Sequence, residues 1–308
     1  MRRVIAAVLA LVLGPAGVAW ATDLDELLER SHDASYVADL TISCSTPDGA
    51  RDAVVRIAQV EGLMVVGSTI DADLQVAAGA GGWSLSRHDG VVAAAEVDSA
   101  GTQQEPLYVV EDLGARSVLG RDAMAYRLVR DGTLRAELVF DDETGALVLA
   151  TTFAADGTTY CQRRFISIDP EPPSLSPLAV SEDVALLTLS TDVETGLPEQ
   201  IGGFDRLDLY EDEDGFRFAY YSDGFFSFAV FETPVAVELP DGVVVEAESG
   251  TYHRSYTAGQ VTYTWETRAG GLALIGDLPP DMHEAVLSGL AEPYDAGWLG
   301  RFWRRLFG

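Results

Sequence analysis

The first half of the chain alternates between apolar and polar residues with the two-residue period of a β-strand. Residues 36–42 form the first such run. Turn signals such as Asp131-Gly132 and Asp156-Gly157 separate the runs, and such pairs favour tight hairpins. The pattern predicts a meander of antiparallel hairpins. The later runs in this half lie at 53–60, 63–68, 73–77, 91–97, 125–130, 134–140, 146–153 and 158–168.

One amphipathic helix is predicted before these strands. Within residues 23–34, Leu24, Leu27 and Leu28 recur at helical spacing, and acidic residues crowd the start, where they suit the helix dipole. One early helix followed by a large antiparallel sheet predicts a curved or half-closed sheet with the helix lying against it, spanning residues 22–168.

A proline-rich stretch at 169–178 separates this region from the rest. It contains Pro170, Pro172, Pro173 and Pro177, and such a composition predicts an extended linker. A smaller α+β domain with an antiparallel sheet is expected at 179–291. Its strands are predicted at 184–189, 207–211, 216–222, 226–232, 243–247, 250–257, 260–267 and 272–275, and Pro279-Pro280 opens a helix at 281–290.

The N-terminus has the pattern of an export signal. Arg2 and Arg3 precede an apolar run at 4–13, Gly14-Pro15 ends it, and 19–21 (Ala-Trp-Ala) has the form of a cleavage site. The run is shorter than the roughly 20 residues that span a bilayer. We therefore predict a cleaved signal peptide at 1–21 and a periplasmic or other extracytoplasmic location. An uncleaved N-terminal anchor is the alternative.

The C-terminal residues 292–308 form a second amphipathic pattern. Apolar residues recur on one face of a predicted helix and arginines lie on the other, a combination suited to the interface of an anionic bilayer. The residues predicted to contact the membrane are Trp298, Phe302, Trp303, Arg301, Arg304 and Arg305. The alternative is a C-terminal helix packed on the second domain.

The charge balance limits the class of partner. The chain has 49 acidic and 20 basic residues, all of the latter arginine, for a net charge of −29. Removal of the signal peptide with its two arginines leaves 18 − 49 = −31. Such a charge argues strongly against nucleic acid as a partner and against adhesion of the body of the protein to anionic lipid. Adaptation to high salt would produce the same composition, so the charge alone does not identify a partner.

The two cysteines, Cys44 and Cys161, both lie in strand-like runs. In an exported chain an even cysteine count favours a disulfide, which would pair the first strand with a late strand of one domain. Two separate buried thiols are the alternative. No metal site is predicted, because two cysteines without nearby histidines do not complete a tetrahedral set.

The sequence contains no recognisable catalytic constellation. The four histidines are separated, and HExxH, GxSxG and P-loop motifs are absent. The acidic run 211–215 lacks an aspartate at the first position of a calcium loop, where Tyr210 stands. These observations predict a binding protein rather than an enzyme, with no cofactor.

The stretch 221–231 (YSDGFFSFAVF) resembles the MucB/RseB family of regulators of envelope-stress sigma factors, which has a near-identical YSDGLFSFSV stretch in its second domain. Leu197-Pro198 with Gly203-Phe204 is similar to the LPxGF that opens that domain. Residues 275–280 (IGDLPP) are similar to the family's VGELPP before its last helix. With weaker matches in the first domain, the resemblance covers most of residues 24–290.

The resemblance implies a LolA-like first domain, a half-open barrel whose helical lid encloses a partly unfilled apolar interior able to hold lipid acyl chains. It implies a second domain that contacts an anti-sigma factor. Family members bind the exported segment of a membrane-spanning anti-sigma factor and shield it from proteolysis, and lipid-type signals release it. This chain departs from the family at Val139, at Ala146-Leu147 and in its acidic second domain.

These arguments predict an exported regulator that binds an anti-sigma factor and senses lipid. A lipid or lipoprotein carrier of the cell envelope, built on the same first domain, is the alternative. The predicted partner-binding residues are Tyr221, Asp223, Gly224, Phe226 and Phe228. Their pattern also fits a hairpin required only for folding, because Asp223-Gly224 suits a tight turn and Phe226 and Phe228 suit a strand face.

Overall fold

A computed structural model describes the protein over two lobes. The N-terminal lobe comprises residues 27–28, 30–31, 33–60, 63–68, 75–79, 82–87, 90–95 and 107–171, and the C-terminal lobe comprises 196–211, 216–233, 242–257 and 259–294, with 186–189 between them. No helix in these ranges is long and apolar enough to cross a membrane. The predicted signal peptide and most of both the predicted linker and the predicted C-terminal tail lie outside the described residues.

One antiparallel sheet builds the N-terminal lobe. Its order is β6-β5-β4-β3-β2-β1-β11-β10-β9-β8-β7. Within the described residues, the end strands β6 and β7 of this order do not pair with each other, so the sheet is open. The strands are β1 (Tyr36–Thr46), β2 (Gly49–Val60), β3 (Leu63–Ser68), β4 (Gln75–Gly79), β5 (Gly82–Arg87), β6 (Gly90–Ala95), β7 (Val109–Val118), β8 (Arg121–Arg130), β9 (Thr133–Asp141), β10 (Leu147–Phe153) and β11 (Thr159–Asp169).

Turn chemistry explains the hairpin registers of this sheet. Asp131 and Gly132 connect β8 to β9 with φ values of 51° and 76°, the left-handed conformations that a two-residue hairpin turn requires. The helical residues Leu27 and Leu28 pack against a cluster that includes Leu128, Leu138 and Phe140. The described residues of the predicted helix therefore lie against the sheet.

The C-terminal lobe is a second antiparallel sheet with one helix. β14 pairs with β15, and β16, β20, β19, β18 and β17 follow in that order. β13 pairs with β14. The elements are β13 (Gln200–Ile201), β14 (Phe204–Glu211), β15 (Arg217–Ser222), β16 (Ser227–Thr233), β17 (Val243–Ala247), β18 (Gly250–Thr257), β19 (Gln260–Glu266), β20 (Gly271–Gly276) and the helix Pro280–Leu287.

A short strand joins the two sheets. β12 (Leu186–Leu189) pairs in parallel with β6 of the N-terminal lobe and antiparallel with β14 of the C-terminal lobe. Together the lobes form a mostly antiparallel fold, an open sheet with a helix followed by a smaller α+β unit. This confirms the predicted fold class.

The C-terminal lobe has an aromatic core. Phe228 is fully buried on β16, where its ring stacks on Tyr221 at 4.9 Å and meets the edge of Phe204 at 5.1 Å. The first five residues of β16 are buried, on both faces of the sheet. Gly276 lies so close that an added Cβ would collide with the Cβ of Phe228.

Two local predictions need correction. The C-terminal helix ends at Leu287 rather than at residue 290, because Gly289 and Leu290 bond to carbonyls three residues back in tight turns instead of continuing the helix. Strands β5 and β7 and the two-residue strand β13 were not predicted.

Acid is expected to destabilise the C-terminal lobe through His283. Its Nε2–H donates to the Leu278 carbonyl at 2.9 Å and its Nδ1 accepts from the Tyr263 hydroxyl at 2.8 Å, so the neutral ring satisfies both contacts. Burial lowers the pKa of His283 to about 4. The unfolded chain binds this proton near pH 6.5, so the stabilisation is complete above that pH and is lost as the pH falls towards 4, up to about 3 kcal/mol.

Chemical unfolding at several pH values tests this expectation. His283→Gln should remove that part of the pH dependence between 6.5 and 4, whereas His253→Gln, at an exposed position, should keep the wild-type slope. Equal slopes for all three proteins would show that His283 does not cause the effect.

Candidate functional site: the joint between the lobes

A disulfide lies where the two lobes meet. Cys44 on β1 and Cys161 on β11 are direct partners in the antiparallel register and are bonded to each other, which confirms the predicted disulfide. Gly259, in the β18–β19 turn of the C-terminal lobe, covers it. A Cβ added to Gly259 would lie 3.1 Å from the Cys44 Sγ and 3.2 Å from the Cys161 Sγ. The C-terminal lobe is therefore seated directly on the disulfide.

Among the residues that the structure describes, four arginine–aspartate pairs connect the lobes. In three of them the N-terminal lobe supplies the arginine, and in the fourth it supplies the aspartate. Arg254 holds Asp48 with two hydrogen bonds, of 2.6 and 3.2 Å. This paired geometry fixes orientation as well as distance. The four pairs are Arg130–Asp223, Arg135–Asp281, Arg163–Asp277 and Arg254–Asp48.

Asp223 has two roles, one for each of its oxygens. Its Oδ1 accepts the backbone N–H groups of Phe225 and Phe226 at 3.0 and 2.8 Å and so closes the β15–β16 turn. Its Oδ2 accepts the Tyr108 hydroxyl at 2.7 Å and an N–H of Arg130. Gly224 adopts φ 99° in this turn, a left-handed conformation that favours glycine. One carboxylate therefore shapes a hairpin in one lobe and binds it to the other.

Electrostatics make this carboxylate dependent on its partners. Asp223 is only 1% exposed, and burial raises its pKa, against the lowering effects of the Tyr108 hydroxyl, the two amides and Arg130. Burial and the neighbouring Asp223 charge raise the pKa of Tyr108, so its hydroxyl stays protonated and donates. An ionised Asp223 is favourable here only while its donors remain in place.

The joint is polar and incompletely hydrogen-bonded. Arg135 is 4% exposed and its guanidinium lies 5.5 Å from the centre of the Phe226 ring. Only its Nη1 reaches a carboxylate, that of Asp281. Its Nε and Nη2, with the Arg163 Nε and Asp277 Oδ1, have no partner within the described part of the chain. A buried polar group left unpaired costs about 1–3 kcal/mol, so the docked arrangement is less stable than its ion pairs suggest.

The five predicted partner-binding residues are all buried in this arrangement. Asp223 and Phe226 face the N-terminal lobe through Arg130 and Arg135. Tyr221 and Phe228 lie in the core of the C-terminal lobe, where the Tyr221 hydroxyl donates to the Pro198 carbonyl at 2.7 Å. Their direct contact with a partner stays a prediction, and for Asp223 and Phe226 it requires the lobes to separate.

The other predicted sites are placed less fully. All six predicted membrane-contact residues, Trp298, Arg301, Phe302, Trp303, Arg304 and Arg305, lie outside the described residues. The side chains of β3 to β6, which would line part of the predicted lipid-holding interior, are not described either. Within the described ranges no group of three His, Cys, Asp or Glu side chains is placed to hold a metal ion.

The arginine–aspartate joint escaped the sequence analysis. It brings together Tyr108, Arg130, Arg135, Arg163, Asp277 and Asp281, none of which was predicted as a site residue. The joint consists of salt bridges and hydrogen bonds between separate parts of the chain. Chemically it can therefore hold the two lobes together or let them separate.

No protein-family model matches the sequence, and no curated protein matches it. Solved structures do match. A chain of the Pseudomonas aeruginosa MucA/MucB complex superposes with a TM-score of 0.50 at 16% identity, covering 90% of this chain and 100% of that one. A crystal structure of MucB gives 0.54 at 16% identity, covering 87% and 98%. These likenesses establish the fold, and the predicted resemblance to the MucB/RseB family is confirmed at that level.

Proposed function

We propose that this protein is an exported regulator that binds the extracytoplasmic part of a membrane-spanning anti-sigma factor, protects it from proteolysis and responds to lipid. The observation that carries the proposal is the extent of the fold likeness. It covers 90% of this chain and all of the matched chain, and so includes both lobes. MucB is a protein solved in complex with MucA, and the family resemblance implies an anti-sigma factor as the partner here.

The alternative proposal is a lipid or lipoprotein carrier of the cell envelope. A carrier needs the N-terminal lobe and its interior, whereas a second lobe locked to the first by four ion pairs has no evident use in carrying lipid. That argument favours the regulator. The response to lipid requires an apolar interior in the N-terminal lobe that can hold acyl chains, and it is proposed on the family resemblance.

Isolation from the membrane fraction of the source organism separates the two proposals. The regulator should be recovered with a membrane-spanning protein whose cytoplasmic part binds a sigma factor. The carrier should be recovered with bound lipid and should transfer that lipid to vesicles. Recovery with lipid that moves to vesicles, and without such a protein, would overturn the regulator proposal.

We also propose that the C-terminal tail contacts the membrane surface. Trp298→Ala combined with Trp303→Ala should abolish sedimentation with vesicles that contain anionic phospholipid, because these rings provide the interfacial apolar contact. Tyr294→Ala, at an exposed position N-terminal to the predicted membrane-contact residues, serves as the control and should sediment like the wild type. Undiminished sedimentation of the double variant would remove the membrane role of the tail.

A further inference from the structure

The hydrogen bonds of Asp223 connect three features that are otherwise far apart. Its Oδ1 fixes the backbone of the β15–β16 turn, and its Oδ2 holds Tyr108 and Arg130 of the N-terminal lobe. The same docked arrangement of the lobes places Gly259 against the Cys44–Cys161 disulfide. The shape of the turn, the docking of the lobes and the covering of the disulfide are therefore parts of one arrangement.

We propose that Tyr108, Arg130 and Asp223 form a latch that holds the lobes together, and that its release loosens the β15–β16 turn and uncovers the disulfide. This inference is independent of the proposed function, because it concerns the two lobes alone. Release offsets part of its own cost, because the buried polar atoms of Arg135, Arg163 and Asp277 that lack a hydrogen-bond partner then become hydrated.

The two ends of the latch differ in what they stabilise. Arg130, at the end of β8, bonds the Oδ2 of Asp223 and not the Oδ1 that closes the β15–β16 turn, so its loss acts on docking first. Tyr108 lies just before β7, whose one pairing strand in the described part of the chain is β8. A ligand that displaces this strand would therefore pull on Asp223 and, through its Oδ1, on the amides of Phe225 and Phe226.

The disulfide provides a direct readout of release. Reduction by dithiothreitol begins when a thiolate of the reductant attacks one sulfur and forms a mixed disulfide. The second thiol of the reductant then attacks its own sulfur in the mixed disulfide and forms a cyclic disulfide. Both cysteines are released as thiols, and the reductant is oxidised. The attack needs access to a sulfur, and Gly259 blocks that face in the docked arrangement.

Arg130→Gln should raise the rate of disulfide reduction in native buffer more than tenfold. Hydrogen exchange of the Phe225 and Phe226 amides should accelerate in the same variant. Tyr108→Phe, which removes one hydroxyl, should produce both effects to a smaller degree. Arg127→Gln is the matched control, because Arg127 is also on β8 but pairs with Glu111 on the exposed surface of the same lobe.

A measurement of unfolding separates latch release from general destabilisation. In Arg130→Gln and Tyr108→Phe, the disulfide should be reduced faster at denaturant concentrations well below the unfolding transition of the N-terminal lobe. The reduction rate of Arg127→Gln should match that of the wild type. If Arg130→Gln fails to fold, Tyr108→Phe alone decides the matter. Reduction and exchange rates in the Arg130 and Tyr108 variants equal to those of Arg127→Gln would overturn the proposal.

Discussion

Replacing both Cys44 and Cys161 with alanine should lower the free energy of unfolding by about 4–5 kcal/mol. The two residues are 117 positions apart, so the bond closes a long loop and removes much conformational freedom from the unfolded chain. Both positions are buried in the middle of the N-terminal sheet, where β1 and β11 pair. Guanidinium unfolding followed by circular dichroism measures the difference.

The wild type in excess reductant is the control for this comparison. Once unfolded it loses the same bond, so its midpoint should fall to that of the double variant, which reductant should not change. If the free energy of unfolding of the double variant lies within about 1 kcal/mol of that of the oxidised wild type, the stabilising role of the disulfide is contradicted.

Phe228→Ala should destabilise the C-terminal lobe by about 3–5 kcal/mol, the range seen when a large buried ring is removed from a core. The ring is fully buried between Tyr221 and Phe204. β16 pairs on both sides, with β15 and β20, so the sheet cannot easily collapse into the space left behind. Equilibrium unfolding of the variant gives the value.

Val244→Ala is the matched control, because it shortens an apolar side chain on the edge strand β17 at 57% exposure. Its effect should stay within about 0.5 kcal/mol. Similar losses for the two variants would mean that the β15–β16 hairpin is not the core of its lobe. A role in core packing would then be excluded for this hairpin, and its main role would be contact with a partner.

The regular strands could be predicted because their alternation and turns were local signals. β8 and β9 are joined by Asp131-Gly132, and both strands alternate cleanly on either side. The reason why β7 could not be predicted is also local. Its register shifts between Asp112 and Gly114, with Gly114 at φ 83°, and this irregularity interrupts the two-residue period.

The joint could not be predicted because it is made by residues far apart in the chain. The latch pair Arg130–Asp223 spans 93 positions, and Arg254–Asp48 spans 206. In the sequence each of these residues has the pattern of a solvated charge beside a turn. The Asp223 motif did stand out, but a sequence does not show whether such a motif meets its own chain or another. In the structure it meets the N-terminal lobe.

Protection of an anti-sigma segment from proteolysis tests the central claim most directly. The chain without its predicted signal peptide, residues 22–308, is mixed with the purified extracytoplasmic segment of a membrane-spanning anti-sigma factor from the source organism, and a protease is added. We expect saturable binding and at least tenfold slower cleavage of the segment. If none of that organism's segments binds, and each is cleaved at the same rate with and without the protein, the regulatory function is wrong.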